Sequence, residues 1–209
     1  MTDFWKKQKE IHDKLSKKTD EDFNKSTDLK DYKELANYDM FSNNKPHQTI
    51  NNDWNLITHN DNNRLYQNRQ TLELVNSIKG SHNISDFLND GLQYLGFTNN
   101  PLQKKRQEET EEILRNITKI KKLPKLTLTG HSLGGNIANR MINKGYSYKS
   151  YNFNPFIPNK SLNIDDDRVV NIRNKNDFAS TITKHNKNTL NLNSNLNSLK
   201  SHSLNNIIL

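Results

Sequence analysis

The 209-residue chain is long enough for one α/β domain with its own core, yet only 31% of it is hydrophobic and its mean hydropathy is -1.02, so that core must be small and concentrated. It has no cysteine, which excludes a disulfide framework, a thiol nucleophile and a cysteine metal site. The net charge of +8 is carried by Lys and Arg scattered along the chain without a basic-aromatic module, which argues against specific nucleic-acid binding and for a basic face that keeps the protein soluble or meets anionic lipid.

Residues 1–28 read as a polar, helical N-terminal extension and 29–209 as a single α/β domain. In the extension, Phe4, Ile11 and Leu15 share a helical face; Leu29, Tyr32, Leu35 and Ala36 share a second one, expected to pack against the sheet edge rather than to cap a substrate. The opening MTDFWKKQKEIHDKLSKK lacks the uninterrupted apolar run of a signal peptide, and no segment approaches membrane-spanning length, so a soluble, cytoplasmic protein is expected. A polar loop around 43–52 with Pro46 follows. Trp54 to Thr58 and Arg64 to Gln67, separated by the turn-rich HNDNN, then predict a hairpin at the edge of a sheet.

Leu72, Leu74, Val75 and Ile78 predict a buried strand that ends at Lys79-Gly80-Ser81. Beyond it Ile84, Phe87, Leu88, Leu92 and Leu95 fall at helical spacing. Two readings of that helix stay open, a mobile lid whose apolar face meets lipid and a fixed core helix. Residues 104–122 predict a helix with Ile113, Ile117 and Ile120 on one stripe and a solvated charged face, ended by Pro124.

The stretch KLTLTGHSLGGNIANRMINKG carries the strongest signal, because a strand pattern turns into a helix pattern at Ser132. Gly130-His131-Ser132-Leu133-Gly134 is a G-x-S-x-G sequence. In that setting a serine sits on a sharp strand-to-helix turn with its hydroxyl pushed outward, and the helix N-terminus, including the N–H of Leu133, faces the place where an oxyanion would form. The N–H of Ser81, in the loop after a central strand, is the candidate second oxyanion donor.

Tyr146 to Pro158 alternates aromatic and polar residues as a strand. Val169, Val170 and Ile172 predict another, with Asp165, Asp166 and Asp167 before it and Asp177 just past its end. Site residues of open α/β sheets collect beyond the carboxyl ends of the strands, which favours Asp177 as the acid. The Asn-, Leu- and Ser-rich segment from Asn186 to Lys200 reads as a long loop or edge strand that delivers His202. His185 is the rival base. His131 is expected to point away from the site and pack, and His12, His47, His59 and His82 to lie in loops or on the surface; no histidine cluster suggests a metal, and no cofactor is expected.

With these parts in place the chain resembles the class 3, fungal-type lipase family of α/β-hydrolases. The resemblance spans roughly residues 30–209 and rests on GHSLGG at Gly130 to Gly135, KGSHNISDFLND at Lys79 to Asp90, YNFNPF at Tyr151 to Phe156 and VVNIRNKND at Val169 to Asp177. It implies a central, mostly parallel sheet flanked by helices with a nucleophile elbow. It also implies Ser132 as nucleophile, Asp177 as acid, His202 as base, Leu133 and Ser81 as oxyanion donors, and an acyl lipid or other ester as substrate. Lys79 stands where the family has arginine. Lacking the signal peptide and disulfides of secreted members, the chain looks more like compact intracellular or large-DNA-virus versions of the fold. A catalytically silent α/β-hydrolase, binding lipid or serving as a virion structural protein, is the alternative reading of the same parts.

Overall fold

The computed structural model describes residues 29–37, 49–80, 101–119, 125–147, 149–157, 166–178, 187–194 and 196–209. The expected N-terminal helix, the loop at 43–48, the helix at 84–95 and Ser81 lie outside these residues.

The strands form one 8-stranded sheet in which spatial order follows chain order. Strands β1 (Thr49–Ile50), β2 (Trp54–His59), β3 (Asn63–Asn68) and β4 (Leu74–Ile78) pair antiparallel. From β4 onward the sheet is parallel through β5 (Leu126–His131), β6 (Lys149–Phe153), β7 (Val169–Asn174) and β8 (Thr189–Leu192). This is the α/β-hydrolase arrangement, with the β2–β3 hairpin on one side and β8 as the far edge.

Among the described residues, four helices accompany the sheet: α1 (Leu29–Asn37), α2 (Pro101–Thr118), α3 (Leu133–Asn143) and α4 (Ser198–His202), the last followed by a 3-10 turn at Leu204–Asn206. Helix α2 begins earlier than its apolar stripe suggested, at Pro101, a residue whose fixed φ suits a first helical turn. Its exposed face carries Lys104–Glu108, Lys105–Glu109 and Glu111–Arg115 pairs one turn apart, each a small contribution.

Side chains alternate between the two faces of each strand, so each face has its own core. On one, Leu74, Ile78, Leu126, Leu128 and Val169 pack under Leu114 and Ile117 of α2 and Ile137, Met141 and Ile142 of α3. On the other, Val75, Phe153 and Ile172 meet Tyr32, Leu35 and Ala36 of α1 together with Leu204 and Ile207 of the C-terminal turn.

Helix α1 therefore lies over the middle of the sheet and not along its edge. Thr129 Oγ1 of β5 donates to the carbonyl of Tyr32 at 3.2 Å, and Ser77 Oγ of β4 to that of Leu35 at 2.8 Å. The Tyr32 ring stacks on Tyr151 of β6 at 4.3 Å. Below it, the buried carboxylate of Glu73 accepts from Tyr32 Oη at 2.7 Å and Thr127 Oγ1 at 2.6 Å.

The scarcity of apolar residues is met in an unexpected way. Strand and helix positions that face the core on the α3 side are occupied by asparagine: Asn152 Nδ2 donates to Asn139 Oδ1 at 2.7 Å and Asn171 Oδ1 at 3.3 Å, all three fully or almost fully buried. The pairing satisfies the network only in part: among the described residues Asn139 Nδ2, Asn171 Nδ2 and Asn152 Oδ1 are buried without a hydrogen-bond partner, so these amides fill core volume at a cost in unsatisfied polar atoms.

Candidate active site

The carboxyl ends of β5, β6 and β7 converge, and the chemistry-bearing residues collect there, as expected for an open α/β sheet. Ser132 directly follows β5 and caps α3 with φ 53 and ψ -118, backbone angles that a non-glycine residue holds only when its surroundings enforce them. The enforcement is visible. Its N–H donates to Phe153 O at 3.1 Å, and its carbonyl accepts from Phe156 N at 3.1 Å and Asn136 N at 3.2 Å.

Asp177 is fully buried three residues past β7, its N–H donating to Asn174 O at 3.0 Å. His202 ends α4. Its ring stands between the other two: Nδ1 is 2.6 Å from Asp177 Oδ1, and Nε2 is 3.0 Å from Ser132 Oγ. A carboxylate can only accept, so Nδ1–H donates to Asp177 and Nε2 is left to accept the serine hydroxyl. Such a series can draw the proton from Oγ as the serine attacks a carbonyl. Phe178 and His131 flank the His202 ring, with centroids at 4.7 and 4.9 Å.

The acids before β7 do other work. Asp166 is paired with Arg168 and Asp167 with Lys187, at the opposite end of the strand. The neighbouring Arg168 holds the Asp166 carboxyl below its ordinary value. Leu133, the first residue of α3, sits where its N–H heads the helix behind Ser132. Ser81, His185 and the lid residues Ile84, Phe87, Leu88 and Leu92 lie outside the described residues. His59 is exposed at the end of β2. Among the described residues no group of three or more His, Asp or Glu is arranged to hold a metal ion, and no helix is long and apolar enough to cross a membrane.

His131 departs from expectation. Instead of pointing away, it lies on the same side as α4, with Nε2 2.7 Å from the carbonyl oxygen of His202. Burial first, and the His202 ring second, push its pKa down to about 3, so it is neutral and Nε2–H donates. Arg173, on β7, lies within VVNIRNKND but has no role assigned by that stretch: it is fully buried, donates from Nη2 to Pro155 O at 3.2 Å, and is pulled down to about 10 by burial while Asp177 pulls it back up. It stays a cation at neutral pH.

The neutral state of His131 gives a pH prediction. Unfolded, its imidazole takes a proton below about 6.5, whereas folded it refuses one until about 3. Its contribution to stability is whole above the unfolded value and is lost as pH falls across that window, by at most about 1.4 kcal/mol per pH unit. Thermal unfolding of the wild type is therefore expected to lose more between pH 7 and 4.5 than that of His131→Gln; parallel curves for the two would refute the assignment.

The sheet order, the elbow and the strand-end site define an α/β-hydrolase fold. Among solved structures, the chain is similar to the crystal structure of Lip2 lipase from Yarrowia lipolytica, with a TM-score of 0.54 over 80% of this chain and 78% of that one at 13% sequence identity. The likeness is one of fold. No protein-family model matches the chain, and no curated protein does.

Proposed function

We propose that the chain is a serine hydrolase that cleaves carboxylic esters of lipids, of lipase or phospholipase type, through an acyl-enzyme. The observation that carries this reading is the continuous series from Ser132 Oγ through His202 to Asp177, built on a strained elbow at a helix N-terminus. The fold likeness to a lipase and the GHSLGG sequence support the lipid side of the reading.

In this reading Ser132 attacks the ester carbonyl while His202 takes its proton, and Asp177 holds the Nδ1–H tautomer and stabilises the imidazolium. The N–H of Leu133, with that of Ser81, receives the developing oxyanion at the positive end of α3. His202 then returns the proton to the leaving alcohol, and water releases the acyl group by the same route. Ser132 and His202 are each only 3% exposed, which keeps the series largely out of bulk water. The charge of +8 favours approach to an anionic lipid surface.

A fluorophosphonate probe tests the reading. It should label wild-type protein at Ser132 and leave Ser132→Ala untouched; a folded wild type that takes no label would end it. A panel of triacylglycerol emulsions, phospholipid vesicles and short soluble esters then separates lipase from phospholipase and simple esterase.

A further inference from the structure

Helix α4 has a construction problem that its surroundings solve. It is a single five-residue turn, capped at its start by Asn197, whose side chain accepts from Lys200 N at 3.0 Å. So short a helix does not hold itself, and the carbonyls at its end have no partners within it. Yet it carries the ring that must meet both Ser132 and Asp177.

Those end carbonyls are taken by side chains from three neighbouring strands. Ser201 O accepts from Asn154 Nδ2 at 2.9 Å and from Asn174 Nδ2 at 2.7 Å. His202 O accepts from Asn154 Nδ2 at 3.0 Å and from His131 Nε2 at 2.7 Å. His131 closes β5, Asn154 follows β6 directly and Asn174 closes β7. Asn154 is itself fixed: it is fully buried at φ 41, its N–H donates to Ile172 O at 2.8 Å, and its Oδ1 accepts from Asn174 N at 3.0 Å. Asparagine is among the few residues that tolerate a positive φ while offering an amide there.

On the footing of the serine-hydrolase reading, we propose that Asn154 and His131 are positioning residues, which clamp the main chain of His202 to the strand ends that also carry Ser132 and Asp177. The strand ends set all three members of the series against one frame. His131 is the residue beside the serine, so the elbow that presents Oγ also grips the backbone of the base. Asn154 spans Ser201 and His202 with one amide, which sets the direction of the last helical residue and therefore of its ring. Neither residue needs to touch the ester.

Three variants separate positioning from mere support of the fold. His131→Phe keeps a ring against His202 and removes the donor; His131→Gln returns an amide N–H near the place of Nε2; Asn154→Gly keeps the positive φ and removes the amide. With a soluble ester, His131→Phe and Asn154→Gly should lower kcat about 10- to 100-fold, the scale expected when a reacting group is misplaced by around 1 Å, with KM within about twofold. His131→Gln should recover most of the loss, and the rate constant of fluorophosphonate labelling should fall with kcat. The clamp is refuted if kcat per folded molecule stays at the wild-type value, or if Gln serves no better than Phe. Should Asn154→Gly fail to fold, the Phe and Gln pair decides alone. A wild type that takes no label brings down the hydrolase reading and the clamp together, whereas an active wild type with unaffected variants brings down the clamp only.

Discussion

Substituting His202 with alanine should lower kcat for a soluble ester by roughly 10^4- to 10^6-fold while the protein stays folded and KM changes little, because on the serine-hydrolase reading it removes the acceptor for the Ser132 proton. Ser132 Oγ has its hydrogen-bond partner in His202 Nε2 at 3.0 Å. Asp177→Asn should follow with a loss of roughly 10^4-fold, since an amide can donate to Nδ1 and turn the imidazole into the tautomer that offers a hydrogen to the serine instead of a lone pair. His185→Ala is the decisive comparison. It should hydrolyse within about threefold of wild type, a change too small for the loss of a general base. If instead His185→Ala is dead and His202→Ala active, the base is His185 and the series at the strand ends is a structural contact.

The parts of this site that follow a local rule were readable from sequence. The change of period at Ser132, with glycines two before and two after, fixes a strand, a turn and a helix in one short stretch, and β5 and α3 run as that pattern requires. The rule that sites gather at the carboxyl ends of strands favours Asp177 over Asp165, Asp166 and Asp167, and Asp177 is the acid found beside His202. The Arg168 and Lys187 pairs of Asp166 and Asp167 show what acids at the other end do.

What could not be read depended on contacts distant in sequence. Asn154 and Asn174 lie inside the YNFNPF and VVNIRNKND stretches, but neither stretch says what an asparagine there would bind, and their partners lie at Ser201, His202 and Asn206. Part of the abundance of asparagine is a buried amide network at positions where periodicity looks for apolar residues. Helix α1 presented the right buried face, but an amphipathic pattern says that a face is covered and not by which strands, so the edge was expected where the centre is found. His131 was expected to point away from the site, and strand alternation does not reveal that α4 returns to the face on which it lies.

The glycines of the elbow give the largest expected effect on stability. A Cβ at Gly134 would stand 2.1 Å from the carbonyl oxygen of Ile78 and 3.0 Å from the carbonyl carbons of Ile78 and Lys79, all main chain of the central strand β4 and the loop that leaves it. Such atoms cannot rotate aside. The first turn of α3 would have to retreat, but Gly135 behind it leaves no slack, since a Cβ there would already be 2.9 Å from Pro155 Cβ. Alanine is the better helix former by about 1 kcal/mol, which is small against the displacement of a packed helix from a sheet, a core change that costs roughly 4 kcal/mol or more. Gly134→Ala should therefore lower the melting temperature by about 10 °C or leave the protein insoluble, and whatever folds should label slowly, because Leu133 and Ser132 move with the helix. Gly145 supplies the contrast. It has φ 81 with nothing within 4 Å of its missing Cβ, so Gly145→Ala meets backbone strain and no collision and should cost only about 1 kcal/mol. If thermal unfolding ranks Gly145→Ala as the more damaging, then backbone conformation and not the close approach of α3 to β4 is what the glycines provide, and the account of how the elbow is held falls with it.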